Sequence, residues 1–237
     1  MIASLVAGLA MASVGMQHQE IEPDIETQSG RLFLMGGGDT TPDVVVAFIG
    51  ACGGGDAPIV VLSQMREEPW RGAGSVELLA ENGARNVTLV SYVDITEKER
   101  ALTEKILEGA AGIWLPGGDQ EMFMNRWKAS WLKPLFGRLV RKGVNFFGTS
   151  AGAMMMSDPM IYGPGGEPDT VQIGEGIGLV PFLVDTHFVE RNRMARLQYG
   201  IQQISAKKAL GLDAGEWVMV RDGKIIQAKG NPWTYGM

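Results

Sequence analysis

The chain has 237 residues, enough for a full hydrophobic core in one large domain. A net charge of -6, with 20% charged residues, leaves no basic footprint for nucleic acid. A single cysteine, Cys52, excludes an internal disulfide, and two histidines, His18 and His187, confine histidine chemistry to two places.

Residues 2–15 are uncharged and mostly apolar, and Ala10-Met11-Ala12 has the A-x-A form of a signal-peptidase site. Residues 1–12 therefore read as a signal peptide, implying a secreted or periplasmic protein; without cleavage the location is cytoplasmic. The run is too short for a membrane span. Residues 13–30 read as a polar arm, and 31–237 as a single domain.

From Arg31 on, short apolar runs alternate with amphipathic ones. Residues 31–36 read as a strand ending in glycines. Residues 40–52 are ambiguous: Val44-Val45-Val46 suits a strand, whereas the length suits a helix with Thr41 as N-cap and Pro42 at the first position. Strand, helix, strand and helix follow at 58–63, 75–84, 86–92 and 96–110, then a strand at 112–116. Residues 120–142 supply one or two helices interrupted at Pro134, and 144–148 the next strand. This alternation predicts an α/β fold, a three-layer, doubly wound and mostly parallel sheet. Residues 157–180 read as an irregular excursion. A strand (182–188), a helix (193–204), a strand (208–213) and a hairpin turning at Asp222-Gly223 complete the chain.

Gly148-Thr149-Ser150-Ala151-Gly152 matches G-x-S-x-G, between a buried strand and a helix-compatible run. Such an elbow lifts the serine hydroxyl into the open, and the N–H of Ala151 at a helix start can stabilise an oxyanion. A serine nucleophile needs a base, and His187 ends the apolar strand 182–188. In an open parallel sheet, ligands gather at the carboxyl ends of strands, where Ser150 and His187 both fall. Gly50-Ala51-Cys52-Gly53-Gly54 imitates the elbow with cysteine, but Pro58 and a strand follow, not a helix. Gly36-Gly37-Gly38 lacks the rest of a phosphate loop, and no His/Cys cluster suggests a metal.

Three motifs in order, Gly117-Gly118-Asp119-Gln120, Gly148-Thr149-Ser150-Ala151-Gly152-Ala153, and Asp185-Thr186-His187-Phe188 followed by Arg191, Arg193, Arg196 and Leu197, resemble the cyanophycinase and dipeptidase E family of serine peptidases. They fit cyanophycinases better than dipeptidase E. The resemblance spans about residues 30–230. It implies a fold like class I glutamine amidotransferases and favours a helix at 42–52. It makes Ser150 the nucleophile and His187 the base, and puts Gly117 or Gly118, with Ala151, in an oxyanion hole. Gln120, Asp185, Thr186, Arg191, Arg193 and Arg196 would line the substrate pocket. The family places an acid in the loop after the elbow, where Glu167 is favoured, then Asp169, while Asp158 reads as a turn residue. At Thr186 the family usually has glutamine, and at Ala214 an acid.

The implied activity is hydrolysis at aspartyl residues, releasing β-Asp-Arg dipeptides from cyanophycin, a poly-aspartate that carries arginine on each β-carboxyl. Arg191, Arg193 and Arg196 suit its free carboxylates, because guanidinium forks match carboxylates. An aspartyl dipeptidase and a non-catalytic binding module are the alternatives. No cofactor is required, the partner is a peptide or poly-aspartate-type substrate, and the resemblance admits a homodimer.

Overall fold

The computed structural model describes residues 29–63, 72–92 and 95–237. The signal-peptide reading, most of the N-terminal arm with His18, and most of the loop after the second strand lie outside these residues. Among the described residues no helix is long and apolar enough to cross a membrane.

Five short apolar runs form a parallel sheet: β1 (Leu32–Met35), β2 (Ile59–Leu62), β3 (Val87–Val90), β4 (Gly112–Leu115) and β5 (Asn145–Thr149). β1, β2 and β4 are buried at every residue, as strands covered on both faces must be. The hairpin β10 (Trp217–Arg221) and β11 (Lys224–Lys229) extends the sheet antiparallel, giving the order β11-β10-β1-β5-β4-β2-β3. Its turn residues Asp222 and Gly223 both have positive φ, 50° and 71°, as a two-residue hairpin turn requires.

Alternate side chains of the strands feed two cores. Phe33, Met35, Val61, Trp114 and Phe147 face α1 (Pro42–Ala51) and α2 (Ala73–Glu81). Leu34, Leu62, Ile113, Leu115 and Phe146 face α3 (Glu97–Glu108), α4 (Gln120–Trp127) and α5 (Ala129–Arg141). The result is the three-layer doubly wound sheet that the alternation predicts. The ambiguous segment 40–52 is a helix, with Thr41 at the N-cap and Pro42 in the first turn. α3 starts at a capping box in which Thr96 and Glu99 satisfy each other's backbone N–H.

Two expectations need correction. The break in 120–142 falls at Lys128 (φ 69°), and Pro134 sits inside α5. Pro134 is exposed, so water can reach the carbonyl it leaves unpaired, while Leu132, Leu135, Phe136 and Leu139 hold the other face in the core. Residues 157–180 are not wholly irregular: β6 (Met160–Pro164) and β7 (Val171–Gly174) pair antiparallel.

After β5 the short helix α6 (Ala151–Met154) begins. β8 (Leu183–Thr186) and β9 (Ala209–Leu212) pair parallel, and β12 (Trp233–Tyr235) joins β9 in a separate three-stranded sheet. α7 (Met194–Ile204) packs on this unit through Leu197 and Ile201. The strand that carries His187 is therefore not part of the main sheet. The two sheets meet end to end where His187 N donates to Gly36 O at 2.8 Å and Gly215 N to Gly37 O at 2.9 Å.

Candidate active site

The chain leaves β5 and turns sharply at Ser150, whose φ of 53° and ψ of -119° lie outside the regions that side-chain-bearing residues favour. Two glycines permit this turn: a Cβ on Gly148 would lie 2.4 Å from Gly152 O, and one on Gly152 would lie 2.1 Å from Leu115 O. Ser150 N donates to Met35 O at 3.0 Å, fixing the elbow to the end of β1. Ala151 occupies the first helical position, where a backbone N–H has no acceptor within the helix.

His187 also has a positive φ, 50°, and is nearly buried. Its Nε2 lies 2.9 Å from Ser150 Oγ, and its Nδ1 lies 2.7 Å from Glu190 Oε2. A Cβ on Gly37 would come within 2.4 Å of Nε2, so the glycine turn after β1 is the wall against which the ring rests. The expected acid, Glu167, is not at the imidazole. It sits in the β6–β7 turn, where its backbone N–H and carbonyl bond the Thr170 hydroxyl. Asp169 belongs to the same turn, and Asp158 pairs with Lys133 at 2.7 Å and accepts from Gly176 N. Ala214, beside Gly38, carries no acid.

A cavity of about 250 Å³ adjoins Ser150 and His187, and Gly118, Gln120, Thr186, Arg191, Arg193 and Arg196 line it. Gly118 and Ala151 border the cavity; Gly117 instead packs against Ser150, where an added Cβ would lie 3.3 Å from the serine Cβ. Asp119 caps α4 by accepting from Met122 N, which places Gln120 on the first turn facing the β6 strand. Gln120 Nε2 donates to Ile161 O and Tyr162 O at 3.3 and 3.0 Å.

Asp185 is not a cavity residue. It is fully buried, accepts from Arg193 at 3.0 Å and from Arg196 Nε at 3.0 Å, and holds both guanidiniums in place. Burial pushes its carboxyl pKa up, against the pull of Arg196 and Arg193. Burial likewise lowers the Arg193 pKa, opposed by Asp185. Arg193 also donates to Thr186 O at 2.8 Å. Asp119 and Glu121 line the cavity together with the three arginines, so its wall carries both signs, and the guanidiniums held by Asp185 are the groups that can receive a carboxylate. The Thr186 hydroxyl is buried without a hydrogen-bond partner.

Sequence reasoning missed Glu190. Its signal is an acid three residues after the histidine, whereas the family resemblance points to the loop after the elbow.

Residues 76–228 match the model of peptidase family S51. The chain is similar to the cyanophycinase of Trichormus variabilis, at 32% identity over 202 residues, covering 80% of this chain and 66% of that protein. It is also similar to the cyanophycinase of Geminocystis herdmanii, at 29% identity, covering 79% and 72% respectively. Its match thus spans slightly less than two thirds of the Trichormus relative. Among solved structures, a peptidase from an acI-B1 actinobacterium superposes with a TM-score of 0.68 at 18% identity, over 90% of this chain and 93% of that one. A peptidase E protein from Listeria monocytogenes gives 0.60 at 17% identity, over 85% and 98%. These two share the fold. With the elbow, the histidine and the arginine-lined cavity in place, the match over most of the described chain settles the family: the chain belongs to peptidase family S51.

Proposed function

We propose that the chain is a serine-type hydrolase that cleaves peptide or isopeptide bonds at aspartyl residues. The observation that carries this reading is the 2.9 Å contact of Ser150 Oγ with His187 Nε2 beside a cavity lined by arginines. Ser150 attacks the scissile carbonyl, and His187 takes the hydroxyl proton and delivers it to the leaving amine. Ala151 N–H, with the Gly118 backbone, faces the oxyanion. Water then attacks the acyl-serine ester, His187 again acting as base, and the acid product leaves.

The arginines account for the aspartyl preference. Asp185 fixes Arg193 and Arg196 before substrate arrives, so little side-chain entropy is lost when they receive a carboxylate. Arg191 is more exposed and can meet a second carboxylate. Cyanophycin and its fragments offer both, and the relatives named cyanophycinase support it as the substrate. The small cavity favours a second reading, an aspartyl dipeptidase. Mass spectrometry of products from cyanophycin and from an α-Asp dipeptide, with Ser150→Ala as control, separates the two. Release of β-Asp-Arg dipeptide by the unaltered chain alone is expected. Equal turnover by Ser150→Ala would overturn the mechanism.

A further inference from the structure

We infer that Glu190 is the positioning residue that orients His187, and that Asp213 holds it there. The inference rests on the serine-nucleophile reading and adds the group that prepares the base. An ionised carboxylate only accepts hydrogen bonds, so the 2.7 Å contact puts the imidazole proton on Nδ1. Nε2 then has a free lone pair, and it is Nε2 that lies 2.9 Å from the Ser150 hydroxyl. With the proton on the other nitrogen, His187 could not act as base. When His187 gains the serine proton, Glu190 also faces the resulting imidazolium.

The backbone explains why an acid three residues on can reach its own histidine. His187 has φ 50°, and the following turn closes through Arg191 N to His187 O at 3.0 Å and Arg193 N to Phe188 O at 2.8 Å. This reversal points residue 190 back at the ring. The turn is pinned from outside: Asp213 Oδ1 accepts from both Val189 N and Glu190 N, at 3.0 and 2.9 Å. Asp213 is itself fixed, because its N–H donates to Glu216 Oε2 at 2.9 Å. The arrangement places base and acid on one short turn between β8 and α7, with an anchor at the end of β9.

Glu190 is half exposed, with 49% of its side chain accessible. Its effect is therefore smaller than that of a fully buried acid, whose neutralisation costs about 10⁴-fold. The test uses a fluorophosphonate as probe, with the rate of Ser150 labelling measured on the folded full chain. Glu190→Gln should label about 10- to 1,000-fold more slowly, with an unchanged melting temperature. Glu167→Gln should label within about twofold of the unaltered chain, the ordinary scatter of a surface change. Asp213→Ala should slow labelling, and Asp213→Asn, whose amide oxygen still accepts both N–H groups, should restore it. The downfield proton signal of the His187 Nδ1–H should persist in Glu167→Gln and vanish in Glu190→Gln. Labelling of Glu190→Gln at the unaltered rate, or an Nδ1–H signal unaffected by that change, would overturn the inference. Failure of the unaltered chain to label at Ser150 would instead overturn the serine-nucleophile reading, and the inference with it.

Discussion

Gly37→Ala should disable the base without unfolding the chain. An alanine Cβ at this position would sit 2.4 Å from His187 Nε2, 2.5 Å from Cε1 and 3.1 Å from Cδ2. That is roughly 1 Å inside ordinary contact distance, so either the ring or the turn must move by about that much. The Ser150–His187 contact at 2.9 Å has no such slack, because a shift of about 1 Å breaks a hydrogen bond. A misplacement of this size costs on the order of 10²-fold in rate. The φ of 104° at Gly37 adds a strain of about 1–3 kcal/mol for any residue with a side chain. Steady-state hydrolysis should therefore show kcat lowered about 100-fold. Urea unfolding should show a loss of only about 1–3 kcal/mol. An active Gly37→Ala enzyme of unchanged stability would refute the claim that this glycine seats the imidazole.

Removing Asp185 leaves two guanidiniums facing each other in a buried site, so Asp185→Ala should lose about 3–5 kcal/mol in urea unfolding and bind anionic substrates with a higher KM. Pro134→Ala should raise stability by about 1–3 kcal/mol, since an exposed helical proline gives way to the best helix former; a loss would mean that α5 depends on the proline. Burial pushes the Cys52 thiol from 9.0 up to about 12. Above pH 9.0 the unfolded chain ionises this thiol and the folded chain does not, so its contribution to stability falls between pH 9.0 and about 12. The stability advantage over Cys52→Ala should shrink across that window by up to ~4 kcal/mol, and iodoacetamide should leave the folded chain unmodified at pH 8.

The parallel sheet was legible because its strands are short, apolar and separated by helices whose caps are written in sequence, as at Thr96 and Glu99. The elbow was legible because Gly148 and Gly152 are dictated by backbone contacts that no other residue tolerates. Pro134 misled because a helix can keep a proline on its wet face, while Lys128 carries no local sign of its positive φ. The β6–β7 hairpin is hard to read in sequence because the glycines and prolines in and around its strands suggest loop, whereas the pairing is closed by a turn in which Gly165 N donates to Thr170 O. Placement of β8 in a second sheet could not be read from local pattern, since a buried strand looks the same in either sheet. Glu190 is hidden in the sequence for the same kind of reason: its closeness to His187 depends on a left-handed histidine, and only the fold shows that conformation.

The most direct test of the account is to locate the covalent adduct. The full chain would be treated with a fluorophosphonate, digested, and its modified peptide identified by mass spectrometry, alongside Ser150→Ala and His187→Ala. The account expects one adduct, on Ser150, absent from Ser150→Ala and strongly slowed in His187→Ala. An adduct on another residue, or none on a chain that still hydrolyses substrate, would contradict it.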